Sequence, residues 1–327
     1  MREGGTTRAT VVEPSEKVTA GELPQPGSVP RRVTRRQLNG YFFVGPAILF
    51  LLLVSIFPLL RTLQMSMTDV DAGVLQFVAL RHYVTLLQDQ WFWNSLRNVV
   101  IFTAASVILH IAIGMGLALL LNETWFNTTV RNFMRGLLIL PWVFSTASSG
   151  LMWTLLYHPF GLLNYLWVGV LGQDAPIEFL AKSGLAMASV VAVNTWKSYP
   201  FYMIIILGGL QAIPAELYEA AKVDGANAWK RFWHITLPQL RPILIAISTI
   251  DIITTVGHVD LIRMLTKGGP LRSTETVAYY IYKTALLDGN LGYGAAISTL
   301  MLLMLAILII IYLRLLSRGS EAGETSF

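Results

Sequence analysis

Ionisable and hydroxyl-bearing side chains inside long apolar runs are where this sequence could do chemistry. A charge in hydrocarbon is costly, and it persists where it serves a path or a partner. In the run TIDIITTVGHVD, Asp251, Thr254, Thr255 and His258 fall at i, i+3, i+4 and i+7, one face of a helix, and the stripe points on towards Asp260. In NTWKSYPFY, Asn194, Lys197 and Ser198 keep the same spacing, and Trp196 offers an aromatic face. Two such stripes on neighbouring helices can line a hydrated path, and their donors and acceptors suit a hydroxyl-rich solute. Trp153 is a further candidate for that lining. Lys197 and Asp251 could instead neutralise each other across the helix interface, or act together as a proton or cation relay. If Lys197 is free, it favours an anionic solute.

Other polar residues point to less. Ser145, Ser148 and Ser149 read as close-packing residues in a span, and His110 as a packed, neutral imidazole. His158 and His234 have no carboxylate or histidine at ligand spacing, so no metal site is expected. No GxxxxGK[ST] loop occurs, and Gly268-Gly269-Pro270 is a turn signal. This chain is therefore expected to be no enzyme and to hold no cofactor of its own.

These side chains must be positioned by membrane helices. Hydrophobic residues make up 54% of the chain and charged residues 13%, where a soluble domain is about one quarter charged. Six apolar spans approach the ~20 residues needed to cross ~30 Å of hydrocarbon. They cover about 41–63, 94–121, 134–157 (kinked at Pro141), 185–210 (broken at Pro200), 242–265 and 294–316. The net charge of +5 forms no stripe for nucleic acid, because the basic residues sit at span ends. Arg31, Arg32, Arg35 and Arg36 precede the first span and place the N-terminus in the cytoplasm. They could also meet anionic lipid headgroups. The chain has no cysteine, which excludes disulfides and thiolate metal sites. Residues 1–39 and 318–327 read as cytoplasmic tails, the first disordered, around a membrane domain at 40–317.

One polar interruption stands apart, residues 213–242. Pro214 opens a short helix with Glu216 and Glu219 at its positive end, and Gly225 stops it. Asn227 caps a second helix, which Pro238 is expected to break. The stretch YEAAKVDGANAWKRFWHITLP carries Glu219-Ala220-Ala221, then Gly225 after three residues, then Ile235, Leu237 and Pro238. This resembles the EAA signature of bacterial ABC importer permeases, in their maltose-permease-like sugar branch. FVALRHYVTLLQDQWFWNSLRN and LTKGGPLRSTETVAYYIYKTAL resemble the same branch, so the likeness spans about 41–316.

The resemblance implies an all-α, polytopic fold of six transmembrane helices, the type I importer (MetI-like) permease. It implies that 213–242 docks on a cytoplasmic ATPase through Glu219, Ala220, Ala221, Asp224, Gly225, Leu237 and Pro238. ATP and Mg would be bound by two ATP-binding cassette subunits, not by this chain. A second homologous permease would complete the pore, and an extracytoplasmic solute-binding protein would deliver the sugar. The location would be the bacterial inner membrane. The likeness carries the sugar site onto the fourth and fifth spans at Asn194, Trp196 and Pro200. In the fifth span, an asparagine-rich pattern is replaced by Asp251, Thr254, Thr255 and His258.

Overall fold

The computed structural model describes the backbone of residues 35–71, 74–123 and 126–324. The tail expected at 1–39 lies outside the described residues up to 34. From Arg35 the chain is already helical. Two compact units meet between Ile56 and Phe57. In the first, the described residues form the greater part of helix α1 (Arg35–Met65), whose apolar run has the length of a bilayer crossing.

In the second unit, a hairpin of β1 (Thr68–Asp71) and β2 (Val74–Phe77) precedes a short helix α2 (Arg81–Gln88) and the long α3 (Gln90–Asn122). Asp89 caps α3 by accepting from Trp91 N at 2.8 Å. Then follow α4 (Thr128–Val143), α5 (Thr146–Leu156), the single turn α6 (Leu162–Asn164) and α7 (Ser183–Ala212). The polar interruption supplies α8 (Ala215–Val223) and α9 (Ala228–Arg231), which leads into α10 (Leu237–Val256). The stretch after α10 holds α11 (Asp260–Leu265) and α12 (Val277–Tyr282), and α13 (Leu291–Glu324) closes the order. Among the described residues, five helices can cross a membrane, and the bent pair α4–α5 makes a sixth.

Proline behaves differently from the sequence reading at three places. The third span does not kink at Pro141, which lies inside α4. The chain bends by 96° between Val143 and Thr146, where Ser145 Oγ caps α5 by accepting from Ser148 N at 3.1 Å. Pro200 does not break α7, since a buried helix tolerates one missing donor when its neighbours pack around it. Nor does Pro238 end a helix. A π-helical turn at Phe232–Thr236 joins α9 to α10, and the wider winding lets the chain pass the proline without a stop. The fifth span ends at Val256 rather than near 265. Gly257 and the turn bond His258 N→Thr255 O at 3.2 Å start a new direction. The last helix runs on to Glu324, past the tail boundary read at 318.

The centre of the second unit is α3 against α7. Phe102 clusters with Val190 and Val191, while Ala118 and Leu121 cluster with Ile206 and Leu210. The two helices therefore run side by side in the same direction. Gly114 makes this possible, since a Cβ there would meet Tyr202 Cβ at 2.5 Å. Small residues that let backbones approach supply the packing contacts which replace hydrophobic drive in lipid. Gly209 does the same for α10, with Leu240 and Ile243 side chains 2.7 and 2.6 Å from where a Cβ would sit.

Candidate translocation site and elbow

Asp251 is not Lys197's partner. It lies buried between three helices, with Oδ2 2.7 Å from His110 Nδ1 of α3 and 2.9 Å from the Tyr202 hydroxyl of α7, which donates to it. On its own helix, Thr255 Oγ1 donates to Oδ1 at 3.1 Å. This cluster fastens α3, α7 and α10 together at one depth. A carboxylate with three such bonds is satisfied inside a low-dielectric interior, and each partner would be orphaned without it. His110 is thus more than a packed ring, because it holds the Asp251 carboxylate. Its partner stands 141 residues away, beyond any local spacing signal. The tilted contact of the His110 and Tyr202 rings at 5.6 Å completes the cluster.

The remaining candidates divide by exposure. Asn194 is fully buried on α7, and Thr254, exposed on α10, donates to the Asp251 carbonyl at 3.0 Å. Trp196, Lys197, Ser198 and His258 are partly exposed. The bend of the third span brings Trp153 edge-on against Trp196 at 5.5 Å and Phe144 to 6.2 Å from it, so the predicted Trp153 and Trp196 meet in one aromatic group, with Lys197 the next residue along α7. The stripe read along the fifth span therefore splits. Asp251 and Thr255 face the helix junction, while Thr254 and His258 stay accessible. Asp260 opens a separate helix, α11, after the break at Gly257, within electrostatic reach of His258.

The loop after α11 is built onto the head of α3. Asn94 and Asn98 each donate to the Arg272 carbonyl at 2.9 Å, and Asn98 also donates to that of Glu275 at 3.0 Å. Arg272 pairs with the buried Glu275 and lies over the Trp91 ring at 4.2 Å. Tyr280 and Tyr293 both donate to Asp89 Oδ2, at 2.5 and 2.8 Å. Burial opposes the Asp89 charge, but these bonds and the α3 amides outweigh it and hold its pKa below the ordinary value. Burial, reinforced by Asp89, pushes the Tyr280 hydroxyl up to about 12. The sequence marked this loop as a turn at Gly268-Gly269-Pro270 within a family-like stretch.

The elbow has the form its punctuation implied. Gly225 ends α8 at φ +77°, in the left-handed region that favours glycine. Its N–H donates to the Lys222 carbonyl at 3.0 Å, and Ala226 N to that of Ala221 at 2.8 Å. Asn227 Oδ1 caps α9 by accepting from Lys230 N at 2.9 Å. The Tyr218 hydroxyl lies 2.9 Å from Thr236 Oγ1, which braces α8 against the π-turn. Glu219, Ala220 and Asp224 are exposed, and Val223 is 89% exposed at the tip. Leu237 is half-buried and Pro238 exposed at the start of α10. The elbow is firm inside and bare outside.

The profile of the family described as "Binding-protein-dependent transport system inner membrane component" matches residues 110–320, which include the three-helix cluster and the elbow. The chain belongs to this family. The trehalose/maltose transport system permease protein MalF of Thermococcus litoralis is 34% identical to this transport component over 84% of the chain and 92% of the relative. The sulfoquinovosyl glycerol transport system permease protein SmoG of Agrobacterium fabrum is 32% identical over 86% and 91%. Among solved structures, a bacterial ABC transporter that imports the acidic polysaccharide alginate superposes with a TM-score of 0.75 at 21% identity, over 87% of this chain and 96% of the other. That likeness establishes the fold, an all-α polytopic membrane fold.

Proposed function

We propose that this transport component is a permease subunit of an ATP-driven carbohydrate importer and forms half of its path. The elbow carries the reading: a braced, exposed arm leads without interruption through the π-turn into α10, the helix clamped to α3 and α7 by Asp251. The sugar-transport names of relatives that align over most of both chains support the substrate class. ATP and Mg belong to two cytoplasmic ATPase subunits that grip α8 through Glu219, Ala220, Ala221, Asp224 and Gly225, with Leu237 and Pro238 relaying motion into α10. The elbow and N-terminus are then cytoplasmic. A solute-binding protein delivers sugar at the outer face, and a second permease supplies the other wall.

The mechanism follows from stiffness. Closure of the ATPase pair displaces α8. Because α9, the π-turn and α10 form one continuous winding, the displacement reaches Asp251 and moves α3 and α7 with it as a body. Access to Trp196, Lys197 and Thr254 then alternates between the two sides. Uptake by cells carrying the whole importer tests this. It is expected to stop when ATP is depleted and to survive collapse of the proton and sodium gradients by ionophores. Uptake that follows a gradient instead supports a secondary transporter with Asp251 in a relay.

A further inference from the structure

Resting on the carbohydrate-import reading, we propose that the solute is anionic and that Lys197 is the residue that selects it. The argument begins with charge. Asp251, the acid expected to neutralise Lys197, is engaged by His110, Tyr202 and Thr255. Among the described residues, Lys197 forms no ion pair. It sits mid-way along α7, half-exposed, one residue after Trp196, whose ring meets those of Trp153 and Phe144.

An ammonium at membrane depth without a counter-charge is costly, so it faces water or a transient partner. Its neighbours do not offer a permanent one. His258 lies within electrostatic reach of Lys197 and is no counter-anion; Asp251 and Asp260 act on His258 as well, but among the described residues neither forms an ion pair with Lys197. A sugar ring stacked on tryptophan with its carboxylate, sulfonate or phosphate on Lys197 would satisfy both features at once. Hydroxyls alone would leave the charge unanswered. The site therefore holds an acidic saccharide better than a neutral one.

The test compares importer-dependent uptake of two trisaccharides of equal length, trigalacturonate and maltotriose, by cells carrying the whole importer. The uronate is expected to be preferred by roughly tenfold or more, and Lys197→Met to erase that preference, whereas Lys197→Arg keeps it. The detergent-purified assembly with Lys197→Met is expected to melt no lower than its parent. ATP-driven uptake of maltotriose without uronate uptake overturns this inference and leaves the import reading standing. Uptake that ignores ATP overturns the reading itself. A lowered melting temperature for Lys197→Met also overturns the inference, since it reveals a structural ion pair with the other permease.

Discussion

Gly225→Pro is expected to lower ATP-driven uptake by roughly a hundredfold, the scale on which a misplaced element disables a coupled step. Two properties of the turn are lost together. Proline fixes φ near −65°, whereas this residue sits at +77° and donates its N–H to the Lys222 carbonyl. Space is not the issue, because nothing lies within 4 Å of where a Cβ would stand. Gly225→Ala retains the N–H and bears only the left-handed penalty of about 1–2 kcal/mol, so it is expected to transport at a reduced rate. The turn is exposed and remote from the packed helices, so both variants should assemble in the membrane. Uptake and ATP hydrolysis, read on the same proteoliposomes, check this: the proline variant should hydrolyse ATP without moving solute or bind no ATPase. Normal uptake by Gly225→Pro would remove the elbow from the mechanism.

Asp251→Ala is expected to be the most destabilising single change within the spans, by about 3–5 kcal/mol, because a buried polar group left without its partner costs roughly 1–3 kcal/mol and three are stranded together. It strips His110 Nδ1, the Tyr202 hydroxyl and Thr255 Oγ1 of their acceptor at one stroke. Removing the whole set should be gentler. His110→Leu, Asp251→Leu and Tyr202→Phe combined leave few buried polar atoms unmet, and are expected to recover much of the stability but not the rate of uptake. Thermal unfolding in detergent checks both. Lys197→Met should not rescue Asp251→Ala, because the two residues do not pair. An Asp251→Ala protein that melts like its parent yet loses affinity for solute would mark Asp251 as a ligand.

Much of the fold was legible in the sequence because hydrocarbon enforces simple rules. Apolar length located the spans, and glycine and asparagine fixed the elbow through backbone conformation and capping. Proline misled because its effect depends on surroundings. At Pro200 the neighbouring helices carry α7 through, at Pro238 a π-turn absorbs the missing donor, and near Pro141 it is Ser145 that restarts the chain. The candidate site was half legible. Helical spacing placed Asp251 and Thr255 on one face, but which face is buried depends on α3 and α7. His110 reaches Asp251 only because Gly114 admits Tyr202. The β1–β2 hairpin and the union of Asp89 with Tyr280 and Tyr293 rest on partners distant in sequence, which no local pattern reports.

The central claim is that α8 meets a cytoplasmic ATPase, and it can be read at one position. The chain has no cysteine, so Val223→Cys at the exposed tip of α8 gives a single attachment point for a photoreactive maleimide. Irradiation of membranes containing the whole importer should join this residue to the ATPase subunit, with a yield that changes when ATP is bound. The account is contradicted if the adduct forms only with other proteins or lipid, or if a thiol reagent that cannot cross the membrane labels Val223→Cys from outside intact cells.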